Sequence, residues 1–183
     1  LCNQFQVPIT FFILGDALKD EDAAIWQAVA ASPCEIGNHT FGHPDLGNLT
    51  VRQIDSQLRR TQERLDAVLG YHYPMQVMRP PFGHLDNPNV SRARVHDAIR
   101  HAGIQHAVLW NVSQTDPDKA YTQARNGCIM LFHANGQDLR CLSALIPRLL
   151  ADGYELCTVS DLLALPPVAT ATDLYVYDPK AAW

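Results

Sequence analysis

Short apolar runs alternate along this chain with longer segments of helical periodicity, and this alternation limits the possible folds more than any other feature. Strands separated by helices pair in parallel, because each helix carries the chain back across the sheet. The predicted strands cover residues 9–14, 34–38, 76–79, 106–111, 128–133 and 154–159. The pattern therefore predicts an α/β fold, either a (β/α) barrel or a doubly wound sheet.

The clearest predicted helix starts after Thr50, where Thr50 and Gln53 have the spacing of a capping box. Gly70 ends it, and its apolar residues recur on one face. Further helices are predicted at 22–31, 91–101 and 139–151. The periodicity stops at Pro166, so we predict one domain over residues 1–166 and a C-terminal tail over 167–183.

Composition excludes several classes of function. The net charge is −5 and the basic residues are scattered, which argues against a nucleic-acid surface. No apolar run is long enough for a transmembrane segment. The five cysteines include no C-x-x-C pair, which argues against a cysteine zinc cluster.

Two histidines four residues apart follow the second predicted strand. His39 and His43 lie in His-Thr-Phe-Gly-His-Pro, and imidazoles at this spacing can face the same way and share a zinc ion. Zinc would need at least one more protein ligand, usually a carboxylate. A pair of loop histidines bonded to backbone groups is the alternative, and the spacing alone does not exclude it.

Two other strand ends carry candidate catalytic groups. Arg79 precedes Pro-Pro-Phe-Gly and could orient a carboxylate through paired hydrogen bonds. His133 closes an apolar run and suits general-acid chemistry, although a lone histidine is more often a satisfied core residue. Asp116 could hydrogen-bond such a histidine, or it could simply cap a helix starting at Pro117.

Taken in order, these motifs resemble the NodB-homology polysaccharide deacetylases, carbohydrate esterase family 4. The resemblance rests on His-Thr-x-x-His-Pro, then Arg-Pro-Pro-Phe-Gly, then Trp-Asn-Val, then the apolar run ending in His133. It extends from Pro8 to about Leu165. It implies a distorted (β/α) barrel with the site at the carboxyl ends of the strands.

The resemblance also implies residue roles. His39 and His43 would hold zinc or another divalent metal, together with an aspartate. Arg79 would brace the catalytic base, and His133, tuned by Asp116, would protonate the leaving amine. The backbone N–H of Phe82 would stabilise the oxyanion, and Leu131 would line the pocket for the acetyl methyl group.

The chain departs from the family pattern at the catalytic aspartates. The family's first strand carries Thr-Phe-Asp-Asp-Gly, and no such motif occurs between Leu1 and Trp183. Three explanations are open: a fragment of a longer chain, a strand supplied by the tail at 172–179 with Asp173 and Asp178, or a pseudoenzyme. Pro117 and Ala134 also stand where the family usually has tryptophan and aspartate.

The predicted function is metal-dependent removal of N-acetyl groups from an amino-sugar polysaccharide of the chitin or peptidoglycan type. The partner is then an N-acetylated glycan, and the resemblance favours a secreted or cell-envelope protein. Two alternatives remain. One is a metal-dependent amide hydrolase of a small cyclic imide or ureide, and the other is a non-catalytic carbohydrate-binding relative.

Overall fold

The computed structural model describes residues 1–165 and the backbone of residues 175–177. Seven α-helices are described in this part of the chain: α1 Cys2–Phe5, α2 Ala23–Ala30, α3 Val51–Leu69, α4 Arg92–His101, α5 Pro117–Thr122, α6 Gly136–Ala151 and α7 Val159–Leu162. The strands are β1 Thr10–Ile13, β2 Glu35–Asn38, β3 Val77–Met78, β4 His106–Val108 and β5 Tyr175–Tyr177. Short 3₁₀ turns lie at Gly15–Ala17, Asp20–Asp22, Leu46–Asn48 and Pro81–Gly83.

The five strands form one parallel sheet in the order β1-β2-β3-β4-β5. A doubly wound sheet reverses its strand order at a switch point, whereas this order follows the sequence throughout. Sequential parallel strands with helices between them form a distorted (β/α) barrel. The predicted fold class is confirmed, and the doubly wound alternative is excluded.

Helix α3 forms as its sequence signals predict. The backbone N–H of Gln53 donates to Thr50 Oγ1, and Gln53 Oε1 accepts from the backbone N–H of Thr50 at 2.8 Å, which completes the capping box. Gly70 ends the helix with a φ of 80°, which costs little only for glycine. The face carrying Ile54, Leu58 and Leu65 is fully buried. This long helix fixes the outer layer that packs over the sheet.

The sheet and the outer helices approach closely at β2. Ile36 is fully buried in the cluster that joins β1, α2 and α3. A Cβ atom on Gly37 would lie 2.8 Å from the Phe12 ring and 3.0 Å from Val77. Glycine is therefore required here for packing, because no larger side chain fits between β1 and β3 without a shift.

Two predicted strands are wrong. Residues 128–133 make only an isolated bridge between Met130 and Val112, and residues 154–157 form no ladder within the described chain. Residue 159 instead begins α7, because Thr158 caps this helix by accepting from the backbone N–H of Asp161. An apolar run shows that a segment is buried, but pairing also needs a neighbouring strand with free hydrogen-bonding groups.

The tail strand β5 pairs at the edge of the sheet opposite to β1. Supply of the first strand by the tail required pairing beside β1, but β5 pairs with β4, with His106 opposite Tyr175 and Val108 opposite Tyr177. Strands β2 to β4 separate β5 from β1. Asp173 and Asp178 lie outside the described residues, and the domain boundary at residue 166 stays a prediction. Within the described residues, no helix combines the length and apolar character needed to cross a bilayer.

Candidate active site

The ends of β2 and β3 place His39 and Arg79 side by side. The backbone N–H of His39 donates to the Ile13 carbonyl at 2.9 Å, and that of Arg79 donates to the Asn38 carbonyl at 2.9 Å. These bonds continue the parallel ladders by one residue beyond each strand. Both residues therefore stand at the carboxyl edge of the sheet, where (β/α) barrels build their sites.

A tight turn brings His43 back onto His39. Thr40 and His43 have φ values of 71° and 59°, a left-handed conformation that side chains rarely adopt. The Asn38 side chain accepts from the backbone N–H of Thr40 at 2.8 Å, and Thr40 Oγ1 accepts from that of His43 at 3.1 Å. The two imidazole centroids lie 4.8 Å apart with an interplanar angle of 74°. The predicted histidine pair is thus assembled.

Helix α3 holds the same turn from outside. The side-chain oxygen of Gln57 accepts from the backbone N–H groups of Phe41 and Gly42, each at 2.9 Å. Sequence reasoning missed Gln57, since a partly buried glutamine on an amphipathic helix has no distinguishing pattern. Its side-chain oxygen satisfies two of the three main-chain N–H groups between the histidines, and Asn38 satisfies the third.

The ring of His39 is fixed by the main chain of Arg79. Its Nδ1 lies 2.7 Å from the Arg79 carbonyl oxygen, which can only accept, so Nδ1 carries the hydrogen. Burial, opposed by this hydrogen bond and aided by His43, Arg79 and His133, lowers the pKa of His39 to about 4. The ring is therefore neutral near pH 7, with the lone pair on Nε2. A metal-ligating histidine typically donates its other ring N–H to a backbone carbonyl in this way.

Arg79 is a buried cation between two aromatic rings. Its guanidinium carbon lies 4.2 Å from the Phe12 ring centroid and 5.6 Å from that of Trp110. The residue is only 6% exposed, and burial lowers its pKa to about 10. Within residues 1–165 no carboxylate pairs with it, and its buried Nε has no hydrogen-bond partner there. A buried, unpaired cation is costly, so the position favours an anionic partner.

Phe82 lies beside the histidine pair, whereas Leu131 lies on the segment that is hydrogen-bonded to Val112. The Phe82 ring centroid is 4.8 Å from that of His43, and 58% of the residue is exposed. Phe82 has a φ of 58° within the turn Pro81–Gly83. Leu131 is half-buried, and its backbone N–H donates to the Val112 carbonyl at 2.8 Å.

The structure gives His133 a different carboxylate partner from the predicted one. Asp116 caps α5, since its Oδ1 accepts from the backbone N–H groups of Asp118 at 2.9 Å and Lys119 at 3.0 Å. Asp116 and His133 share no hydrogen bond in the described structure. The carboxylate at His133 is Asp138, on the first turn of α6. The role predicted for Asp116 in catalysis stays a prediction.

The donor set in the described chain fits a metal only in part. His39 and His43 offer two ring nitrogens, but residues 1–165 hold no group of three or more His, Cys, Asp or Glu side chains placed for a metal ion. Two nitrogen ligands are what the histidine turn can supply to a tetrahedral site. The described residues, as they are placed, therefore do not complete a tetrahedral metal site.

Comparison with known protein families identifies the family of this chain. The model of the family described as "Polysaccharide deacetylase" matches residues 1–107. The chain belongs to the polysaccharide deacetylase family. The family match includes His39, His43, Arg79 and Phe82, and it ends before Asp116, Leu131 and His133.

Curated relatives match most of the chain. An uncharacterized protein of Bacillus subtilis strain 168, YlxY, is 29% identical over 172 residues, which span 89% of this chain and 51% of the relative. The peptidoglycan-N-acetylmuramic acid deacetylase PdaC of the same strain is 28% identical over 167 residues, 84% of this chain and 32% of the relative. The chain thus spans about half or less of these curated relatives.

One solved structure resembles the fold of almost the whole chain. It is described as "T48 deacetylase with substrate", and it superimposes with a TM-score of 0.76 at 28% identity. The superposition covers 97% of this chain and 86% of that one. The arrangement of strands and helices is therefore that of the polysaccharide deacetylases.

Proposed function

We propose that this chain forms the active-site framework of a zinc-dependent deacetylase that removes N-acetyl groups from an amino-sugar polysaccharide of the chitin or peptidoglycan type. The observation that carries this proposal is the hydrogen bond between His39 Nδ1 and the Arg79 carbonyl, which leaves Nε2 free beside His43. Membership of the family supports the same reaction class.

His39 and His43 are the proposed metal ligands. When bound, zinc or another divalent metal supplies a Lewis acid and a water of lowered pKa. The chain contributes two neutral nitrogen donors on a turn that Asn38 and Gln57 hold in place. A pre-formed turn reduces the entropy that binding would otherwise cost.

Arg79 marks the place of the catalytic carboxylate. Its guanidinium is buried without an anion in residues 1–165, and its own carbonyl holds His39. A carboxylate at this point would be both paired with a cation and close to the metal ligands. Because the described residues supply no such group, we expect weak activity from the chain as printed.

The remaining groups fit the rest of an amide hydrolysis. Phe82 lies on a positive-φ turn beside His43, where its backbone N–H is proposed to stabilise the oxyanion. His133 is exposed and is proposed to protonate the leaving amine. Leu131 is proposed to contact the acetyl methyl group.

The exposed ring of Phe82 favours a polymer over a small cyclic imide. A ring that is 58% exposed beside the histidines gives a sugar a flat apolar surface without enclosing it. A small ureide or imide would instead be expected in a closed pocket. The name of PdaC, a peptidoglycan deacetylase, supports the same substrate class.

The test supplies the missing carboxylates and measures acetate release. A strand carrying Thr-Phe-Asp-Asp-Gly is fused before Leu1, and the fusion is assayed with zinc on N-acetylglucosamine oligomers and peptidoglycan. We expect acetate release from the fusion, and a loss of about a hundredfold or more in kcat with His133→Ala. The matched control is His101→Ala, since His101 pairs with Asp55 on the surface.

Two results would contradict the proposal. The first is a folded, zinc-loaded fusion that releases no acetate from either polymer. The second is turnover of cyclic imides with none of glycans, which would assign the site to the small-molecule hydrolases. Glycan binding without any turnover would indicate the non-catalytic alternative.

A further inference from the structure

Asp138 is a buried carboxylate on the first turn of α6, and it belongs to none of the motifs described above. It is 2% exposed, and its Oδ1 has no hydrogen-bond partner in the described residues. Its Oδ2 accepts from the backbone N–H of His133 at 2.6 Å and lies 3.3 Å from the Nδ1 atom of the same histidine. Burying an ionised carboxylate costs free energy, so its retention calls for a specific partner.

We propose that Asp138 is the positioning residue of His133, holding its ring by Nδ1 so that Nε2 faces the substrate. This inference rests on the proposed function, because it assigns His133 the role of general acid. An ionised carboxylate has no hydrogen to give, so His133 Nδ1 must carry the hydrogen of this contact. The 3.3 Å separation is that of a weak bond, and the short bond from the main chain provides the anchoring.

The first turn of α6 keeps Asp138 in place. The Asn135 side chain accepts from the backbone N–H groups of Gln137 and Asp138, each at 2.9 Å. The backbone N–H of Asn135 in turn donates to the His133 carbonyl at 2.8 Å. The loop from His133 to Asp138 is thus closed on itself, and an acid in the first turn is favoured by the helix dipole.

The exposed side of the ring is free for chemistry. The His133 side chain is 69% exposed, whereas that of Asp138 is 3% exposed, so the contact uses the inner face of the imidazole only. In the proposed hydrolysis, water has added to the acetyl carbon, and the imidazolium gives the Nε2 proton to the amine nitrogen as the C–N bond breaks. The products are the free amine and acetate. The neutral His133 ring then keeps the hydrogen on Nδ1, directed at Asp138 Oδ2.

Two other acids are candidates for this role, and the structure separates them. Burial, together with the charges of Asp138 and Asp116, raises the pKa of the Cys141 thiol, so Asp116 lies in the same region as Asp138. Asp116 Oδ1, however, accepts the two hydrogen bonds that cap α5. Asp118 pairs with Arg148 on the surface. Of these three acids, only Asp138 has a hydrogen bond to His133 in the described structure.

The test reads the tautomer of His133 by ¹⁵N NMR of the ring nitrogens, in the 183-residue chain and at a pH where the ring is neutral. His133→Gln identifies the signals. We expect the Nδ1–H tautomer in the native chain, a reversal to Nε2–H in Asp138→Ala, and an intermediate ratio in Asp138→Asn. Asp116→Ala serves as the matched acid variant and should leave the ratio as in the native chain.

Each alternative outcome overturns the proposal. An Nε2–H ring in the native chain would show that Asp138 does not bind Nδ1. An unchanged ratio in a folded Asp138→Asn would give Asp138 a structural role only, because the amide can still accept from the main chain. A change in Asp116→Ala alone would move the role to that residue. The tautomer is read without turnover, so a failure of the proposed deacetylation would be distinguishable from a failure here.

Discussion

The Nδ1 atom of His39 lies 2.7 Å from the carbonyl oxygen of Arg79, so the main chain of one site residue orients the side chain of the other. The contact links the ends of β2 and β3, which the sheet register already places side by side. The two functions of Arg79 are therefore separable. Its backbone positions a proposed metal ligand, and its guanidinium is buried without a paired carboxylate in residues 1–165.

Arg79→Met should stabilise the printed chain. Burial lowers the pKa of Arg79 from its ordinary value to about 10, which corresponds to a cost of about 3 kcal/mol for the buried charge. The cation–π contact with the Phe12 ring offsets about 1 kcal/mol of this burial cost. We expect the free energy of unfolding, measured with urea, to rise by about 1–2 kcal/mol. Zinc affinity should stay the same, since the main-chain carbonyl remains.

A loss of about 3 kcal/mol in the same experiment would reveal an anionic partner outside the described residues, since removing one member of a buried pair is strongly destabilising. Asp173→Asn and Asp178→Asn, combined with Arg79→Met, would then identify it. If the tail supplies the anion, the added tail substitutions should cause no further loss.

Zinc should bind to the histidine turn. His39→Ala and His43→Ala should each lower the affinity by at least a hundredfold, because a two-ligand site that loses one nitrogen retains almost no chelation. Isothermal titration with zinc measures this directly. His101→Ala removes a surface histidine that pairs with Asp55, and it should titrate like the native chain. Equal zinc binding in all four proteins would assign the pair to a structural role.

Gln57→Leu should weaken zinc binding by about ten- to a hundredfold, the usual effect of losing a residue that holds metal ligands in position. The substitution leaves the N–H groups of Phe41 and Gly42 without their acceptor, so the turn carrying both histidines loosens. Gln57→Glu keeps an acceptor oxygen and should bind zinc nearly normally.

Gln62→Leu is the matched control for this glutamine. Gln62 lies on the same helix and holds the loop at Tyr73 and Met75, away from the histidines. Its loss should lower stability by about 1–3 kcal/mol without a change in zinc affinity. If both leucine variants weaken zinc binding equally, the effect belongs to α3 as a whole.

The metal-free chain should lose stability as the pH falls from about 6.5 towards 4, in part through His39. The pKa of His39 is lowered in the folded protein to about 4, so between these values the unfolded chain binds more protons. Stability therefore rises with pH across this window and is fully present above it. Urea unfolding with a chelator at several pH values measures the slope.

His39→Asn isolates the contribution of His39 to this slope. The asparagine amide can still donate to the Arg79 carbonyl, but it does not titrate. We expect a shallower dependence on pH than in the native chain. An identical slope in the two proteins would show that the protonation of His39 is not linked to folding.

The local parts of the fold could be predicted from the sequence. The capping box at Thr50 and Gln53, the stop at Gly70 and the apolar face between them are all properties of one segment. The first four strands were placed within one to three residues of their observed ends for the same reason. The histidine pair and Arg79 could be assigned to the site because each follows such a strand directly.

Contacts between distant segments could not be predicted in this way. Residues 128–133 and 154–159 have the apolar character of strands, yet they lack a partner ladder in the described chain. Gln57 has no feature that distinguishes it from any half-buried glutamine until the turn at Phe41 packs against it. The partner of His133 was likewise missed, because Asp138 resembles an ordinary acid in the first turn of a helix.

The sequence by itself determined the alternation of strands and helices, the end of each long helix, and the residue types available at the carboxyl edge. Tertiary structure alone decided that β5 pairs with β4, that Arg79 is buried without an anion in residues 1–165, and that Asp138 rather than Asp116 contacts His133. The physical reason is one of range. Periodicity and capping depend on neighbours within a few residues, whereas pairing, burial and the choice between two acids depend on which distant segments the fold brings together.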